Sequence, residues 1–98
     1  MAEFTLQGEV STGGTILHTG GVNGSKIITM RFSNPIAYSL QLFSYQNSTA
    51  STVQIFNFNL DAGDVVTDDL LYLLQEGDYL EVFTNTTGTE YYIYGLDN

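Results

Sequence analysis

Apolar residues recur at every second position along this chain, in short runs that end in clusters of Gly, Asn, Ser and Thr. A period of two is the pleat of a β-strand with one buried face, whereas a helix would need a period near 3.6. "EFTLQGEV" alternates Phe4, Leu6 and Gly8 against Glu3, Thr5, Gln7 and Glu9. "TILH" is a short apolar segment held between glycine pairs. "KIITMRF" sets Ile28, Met30 and Phe32 against Ile27, Thr29 and Arg31, and "AYSLQLFSY" sets Tyr38, Leu40 and Leu42 against Ser39, Gln41 and Phe43. "VQIFNFNL" changes phase early and then runs Phe56, Phe58 and Leu60 against Asn57 and Asn59. "YLEVFT" and "YYIYG" point Leu80, Val82, Tyr91 and Ile93 one way. The one helix-like run, "DDLLYLLQEGD", has a capping Asp and a closing Gly77 but is too short for a stable helix, so a strand or irregular crossover is expected there.

The connections carry matching turn chemistry. "HTGGVNGSK" reads as a surface loop rich in positive-φ positions, Ser33-Asn34-Pro35 as a turn before a strand, and "QNSTAST" as an exposed tip. "NTTGT" fits a hairpin between the last two strands, with Gly88 in the left-handed position. The expected fold is all-β: one antiparallel, jelly-roll-like sandwich of about seven or eight short strands spanning residues 1–98 as a single domain.

The charge balance excludes several function classes. Eleven acids face two strong cations, Lys26 and Arg31, for a net charge of −9. Phosphate neutralisation is therefore nearly unavailable, which argues against nucleic-acid and anionic-membrane partners. The start "MAEFTLQGEV" has neither the positive nor the apolar region of a signal peptide, and no run is apolar enough to span a bilayer. With no cysteine, neither disulfides nor a thiolate metal site is available, and a small β domain without such staples gains stability by associating with copies or partners.

Seven of the eleven acids lie between Asp61 and Glu81, where "LDAGDVV" is echoed fourteen residues later by "LQEGDYL". A helix–loop–helix calcium loop from Asn57 fails: Ala62 stands where glycine is required, and Phe56 and Phe58 interrupt the ligands. A looser calcium site would draw on Asp61, Asp64, Asp68, Asp69 and Asp78. The backbone explanation is simpler. In each copy a Leu ends one segment, Gly63 or Gly77 supplies an unusual φ, Asp64 or Asp78 bonds nearby amides, and an apolar pair launches the next strand. Such a device turns the chain between the sheets of a sandwich.

No catalytic set emerges. His18 is the sole histidine, closes a short strand beside a glycine loop, and accompanies no nucleophile motif, so a solvated or turn-capping role is expected. A glycosidase carboxylate pair would lack both a deep cleft and tryptophan for sugar stacking. No cofactor motif is present. Tyr91, Tyr92 and Tyr94 place amphipathic rings on both faces of the last strand, which fits a binding surface. Together with Phe4 and Leu6 of the N-terminal "EFTLQ" segment, a candidate strand-addition edge, they form the expected interface set.

The stretch from about Arg31 to Gly95 resembles small β-sandwich virion proteins of tailed bacteriophages. The resemblance is carried by "YSLQLF", "LDAGDVVTD" and "YLLQEGDYLEVFTNTTGTEYYIYG", with Tyr72, Leu74, Gly77, Asp78, Leu80 and Val82 filling the recurrent Tyr/Leu-x-Leu-x-x-Gly-Asp-x-Leu-x-Val pattern before a short hairpin. It implies a non-enzymatic capsid-decoration, head-completion or fibre-associated protein. Such a protein is made in the host cytoplasm, resides in the virion and docks in multiple copies on the major capsid protein or neighbouring virion proteins. The alternative from another class is a carbohydrate- or receptor-binding module, assisted by calcium.

Overall fold

The computed structural model describes residues Met1–Asn98, and every regular element in it is a strand. The nine strands are β1 (Ala2–Glu9), β2 (Thr15–Thr19), β3 (Ser25–Ser33), β4 (Tyr38–Gln46), β5 (Ser51–Leu60), β6 (Val65–Asp68), β7 (Tyr72–Leu74), β8 (Tyr79–Thr84) and β9 (Glu90–Asp97). The helix-like run resolves into an irregular crossing and β7, which is the strand beyond the seven or eight expected.

The topology follows from one nested hairpin. β4 and β5 are joined by the tight Asn47–Ala50 tip and pair antiparallel; around them β3 pairs β6 and β7, β2 pairs β8, and β1 pairs β9. Folding that long ribbon over itself adds the pairs β3–β9 and β4–β8. The result is two antiparallel sheets, β1-β9-β3-β6 with β7 also on β3, and β2-β8-β4-β5. This is the jelly-roll order, built from two Greek keys.

Sandwich closure buries Val10, Leu17, Ile27, Met30, Phe32, Tyr38, Leu40, Leu42, Leu74, Leu80, Val82 and Ile93 between the sheets. Alternation assigns β4, β8 and β9 to the core as the sequence requires. β3 departs from it. A bulge at Ile28, between the pairs Ile27–Gly95 and Thr29–Tyr94, flips the phase, so Ile27 is buried with Met30 and Phe32 while Ile28 is only half-buried. The same device buries Leu17 in β2 and produces the early phase change of β5 at Ile55.

A second correction concerns "NTTGT". β8 and β9 lie in different sheets, so Asn85–Thr89 is a crossing and not a hairpin, although Gly88 does take a left-handed φ of 86°. The wrapped ribbon forces this, because each of these strands is already paired with an older partner on the nested hairpin. A buried polar knot holds the crossing. Asn34 Nδ2 donates to Thr87 O at 3.1 Å and Thr89 Oγ1 at 2.9 Å, and Asn34 Oδ1 accepts the Ile36 amide.

Candidate interaction surfaces

The two Leu-x-x-Gly-Asp copies adopt the same turn. In the first, the Asp64 amide donates to Asp61 O at 3.1 Å, Asp64 Oδ2 accepts the Asp61 amide at 3.0 Å, and Gly63 has φ of 80°. In the second, the Asp78 amide donates to Gln75 O at 3.0 Å, Asp78 Oδ2 accepts the Gln75 amide at 3.0 Å, and Gly77 has φ of 85°. One carries the chain from β5 to β6 and the other from β7 to β8, so each moves it between sheets.

Their surroundings differ. The first turn is exposed and is steadied by Tyr38, whose hydroxyl donates to Asp64 O at 2.6 Å; burial, then the Asp64 charge, pushes that phenol's pKa up. In the second, Asp78 is buried and its Oδ1 also accepts the Asn47 amide at 2.8 Å.

This geometry takes apart the calcium set. Val65 pairs with Ser33 at one end of β3 and Leu74 with Ser25 at the other. At about 3.3 Å per residue, nine-residue β3 holds the two turns roughly 25 Å apart. Asp61 and Asp64 are therefore at one pole and Asp78 at the other. Asp68 is committed to Tyr72, whose hydroxyl donates to it at 2.5 Å, and Asp69 accepts from Thr29 Oγ1 at 2.6 Å. No three His, Asp or Glu side chains come together in a metal-binding cluster.

His18 is neither solvated nor a turn cap. Its ring stacks on Phe4 with centroids 4.3 Å apart, and Nε2 lies 3.0 Å from Asp97 Oδ1. Ser25 Oγ donates to the same oxygen at 2.5 Å and accepts the Gly21 amide at 3.0 Å. The carboxylate is the middle member of this trio, so the serine proton faces aspartate instead of imidazole. Hydroxyl activation requires the opposite order. The trio ties β2, β3 and β9 to the β2–β3 loop.

The expected interface residues divide by face. Phe4, Leu6 and Tyr91 pack against the core, which removes their side chains from the outer surface. The β1 backbone remains an open edge, since β1 is the terminal strand of its sheet. Tyr92 and Tyr94 do point outward. Tyr92 is 43% exposed and stands in register between Gln7 and Arg31, while Tyr94 stands between Thr5 and Thr29. An open depression beside Tyr92 is rimmed by Glu9, Arg31 and Glu90.

A cluster of exposed apolar residues lies elsewhere, on the side where the sandwich stays open. β5 ends the second sheet and four-residue β6 ends the first, so the inner face of β5 outruns its cover. A groove of about 460 Å³ opens there, lined by Ile55, Phe56, Phe58, Val66 and Leu70 together with Thr67, Asp68 and Asp69. Val53, Phe58, Leu70, Leu71 and Leu73 are each more than 40% exposed. Alternation places Phe56, Phe58 and Leu60 together on the face opposite Asn57 and Asn59, and none of the three is among the expected interface residues. The available signal was a ten-residue strand with no charge to protect its edge.

The outer face of the second sheet adds an aromatic stripe. Tyr45 stacks on Tyr79 at 4.6 Å and Phe43 meets Phe83 edge-on at 5.6 Å. Fold and surfaces together define a jelly-roll domain with an open apolar flank and two aromatic outer faces. No protein-family model, curated protein or solved structure matches the chain.

Proposed function

We propose that this chain is an accessory structural protein of a tailed-bacteriophage virion. It decorates the capsid in multiple copies and works by adhesion without catalysis. The observation that carries the reading is the unprotected apolar flank at β5, where Val53, Ile55 and Phe58 stand exposed on an uncharged sheet edge. Exposed apolar side chains clustered beside polar ones support a site of protein contact. The jelly-roll order and the virion-protein pattern from Tyr72 to Val82 support the same reading. Its partners are the major capsid protein or neighbouring head, neck or fibre proteins.

Quantitative mass spectrometry of phage particles purified from the chain's source tests this. Hundreds of copies per particle are expected for a decoration protein, and a dozen or fewer would move it to a neck, vertex or tail position. Particles free of the chain would overturn the proposal.

A second reading, a carbohydrate- or receptor-binding module on a fibre or tail, is favoured by the Tyr45–Tyr79 and Phe43–Phe83 stripe. Aromatic faces on a flat sheet offer stacking area to sugars. Thermal melts against a glycan panel test it, since a ligand of the native state alone raises the melting temperature.

A further inference from the structure

We propose that the outer face of the first sheet carries a binding site for a short neutral oligosaccharide, built from Gln7 and Glu9 of β1, Glu90 and Tyr92 of β9, and Arg31 of β3. This rests on the carbohydrate reading above for the class of ligand, and places the sugar on the sheet that does not carry the Tyr45–Tyr79 stripe.

Register assembles the site. Antiparallel pairing sets Gln7, Tyr92 and Arg31 in one row across β1, β9 and β3, and Glu9, Glu90 and Ser33 in the next outward row. Gly8 and Tyr91, paired between these rows, present backbone outward because alternation turns them to the core face. Both outward rows border the open depression beside Tyr92. Its volume of about 540 Å³ lies within the range of small-molecule sites, about 300–1,000 Å³. Glu9 and Glu90 stand directly opposite each other, and like charges so placed destabilise a sheet. Local rules broken in this way concentrate at functional sites.

Charge selects the ligand. The chain's one close charge pair is His18–Asp97, so Arg31 has no carboxylate partner although Glu9 and Glu90 border the same depression. An anion that reaches the guanidinium meets two glutamates, and a cation that reaches the glutamates meets Arg31. A neutral polyol meets neither penalty and uses every group. The glutamates accept from sugar hydroxyls, the guanidinium donates to them, and the Gln7 amide does both. Hydrogen bonds to charged groups are also the stronger ones. Glu9 is already held in place, since its Oε1 accepts the Gly88 amide at 2.8 Å. Tyr92, 43% exposed, supplies an apolar ring against which the C–H face of a pyranose can pack. One such open site binds weakly, and copies presented together on a particle strengthen it by avidity.

Amide NMR of the isotope-labelled chain, titrated with neutral trisaccharides of glucose, mannose, galactose and N-acetylglucosamine, tests the site. At least one is expected to shift the amides of Gln7, Arg31, Glu90 and Tyr92 saturably at about 1–10 mM. Tyr92→Ala and Arg31→Met should each weaken that binding at least about tenfold. Both side chains are exposed, so the variants keep the fold, which thermal melts verify. Tyr79→Ala, on the other sheet, should leave the affinity unchanged. Binding that survives both Tyr92→Ala and Arg31→Met overturns the inference. Shifts confined to β4 and β8 and abolished by Tyr79→Ala also overturn it, while the carbohydrate reading then stands on the stripe. Silence from every neutral probe overturns both. Tighter binding of anionic sialyllactose or of a cationic glucosamine trimer overturns the choice of a neutral ligand.

Discussion

Asp78 Oδ1 accepts the backbone amide of Asn47 at 2.8 Å, fastening the β7–β8 turn to the tip of the β4–β5 hairpin. The other carboxylate oxygen closes its own turn on Gln75. A local sequence device has thus become a tertiary joint, and its twin at Asp64 has not.

Removing the two carboxylates separates these roles. Asp78→Ala is expected to lower unfolding free energy by about 2–3 kcal/mol, because two amides lose a charged acceptor at a buried site. Asp64→Ala removes one exposed turn bond and is expected to cost less than about 1 kcal/mol. Urea denaturation of both variants checks the order; equal losses would contradict the structural asymmetry.

The turn glycines should diverge in the same sense. Gly63→Ala meets nothing within 4 Å and bears only the left-handed backbone cost, about 1 kcal/mol. At Gly77 a Cβ would also sit 2.7 Å from Asn47 Nδ2 and 3.2 Å from its Cβ, so Gly77→Ala is expected to cost roughly 1 kcal/mol more. Thermal melts of the pair measure the difference.

Acid should loosen the trio around Asp97. The Ser25 hydrogen bond first, and the His18 bond next, hold that carboxyl's pKa below its ordinary value. A depressed carboxylate stabilises the fold above its unfolded pKa of about 3.9, and that contribution fades as pH falls through the lower folded value. Asp97→Asn should therefore melt below wild type at neutral pH, and the gap should close in the acid range below about pH 4. A gap that does not vary with pH would assign the effect to packing alone.

The alkaline limb belongs to Tyr72. Burial, then its bond to Asp68, pushes this phenol's pKa far above the ordinary tyrosine value. A group raised on folding contributes stability that is complete below its unfolded pKa, about 10, and is lost as pH climbs beyond it. Tyr72→Phe is expected to flatten the loss of stability above about pH 10, measured by melting temperature against pH.

Calcium is expected to leave the melting temperature unchanged, and chelators likewise. The candidate carboxylates sit at opposite poles or are committed to Tyr72 and Thr29. A rise of several degrees with millimolar calcium would require a site that these side chains do not form.

The β3 bulge supplies a test of core phase. Ile27→Ala should cost about 2–4 kcal/mol and Ile28→Ala distinctly less, the reverse of what strict alternation from Met30 implies.

Much of the fold was legible residue by residue. Alternation in Tyr38–Leu42 and Leu80–Val82 located core faces, and the paired Leu-x-x-Gly-Asp segments located two crossings between sheets. The candidate surface was legible only in part. Tyr92 and Tyr94 do face outward, but Phe4, Leu6 and Tyr91 turned inward. An aromatic or leucine on an edge strand has the same local pattern whether or not the facing sheet reaches it.

What the sequence determined by itself is therefore the local chemistry: period-two strands, positive-φ glycines at Gly63 and Gly77, and aspartates that bond the amides three residues before them. These depend on neighbours a few positions away. Only the tertiary structure decided the phase flips at Leu17 and Ile28, the crossing of Asn85–Thr89 between sheets, and the exposure of β5. A bulge exists relative to a partner strand, and burial depends on whether the opposite sheet extends far enough. Short β6 does not cover the length of β5, and that mismatch between strands distant from each other on the nested ribbon leaves Phe58 at the surface.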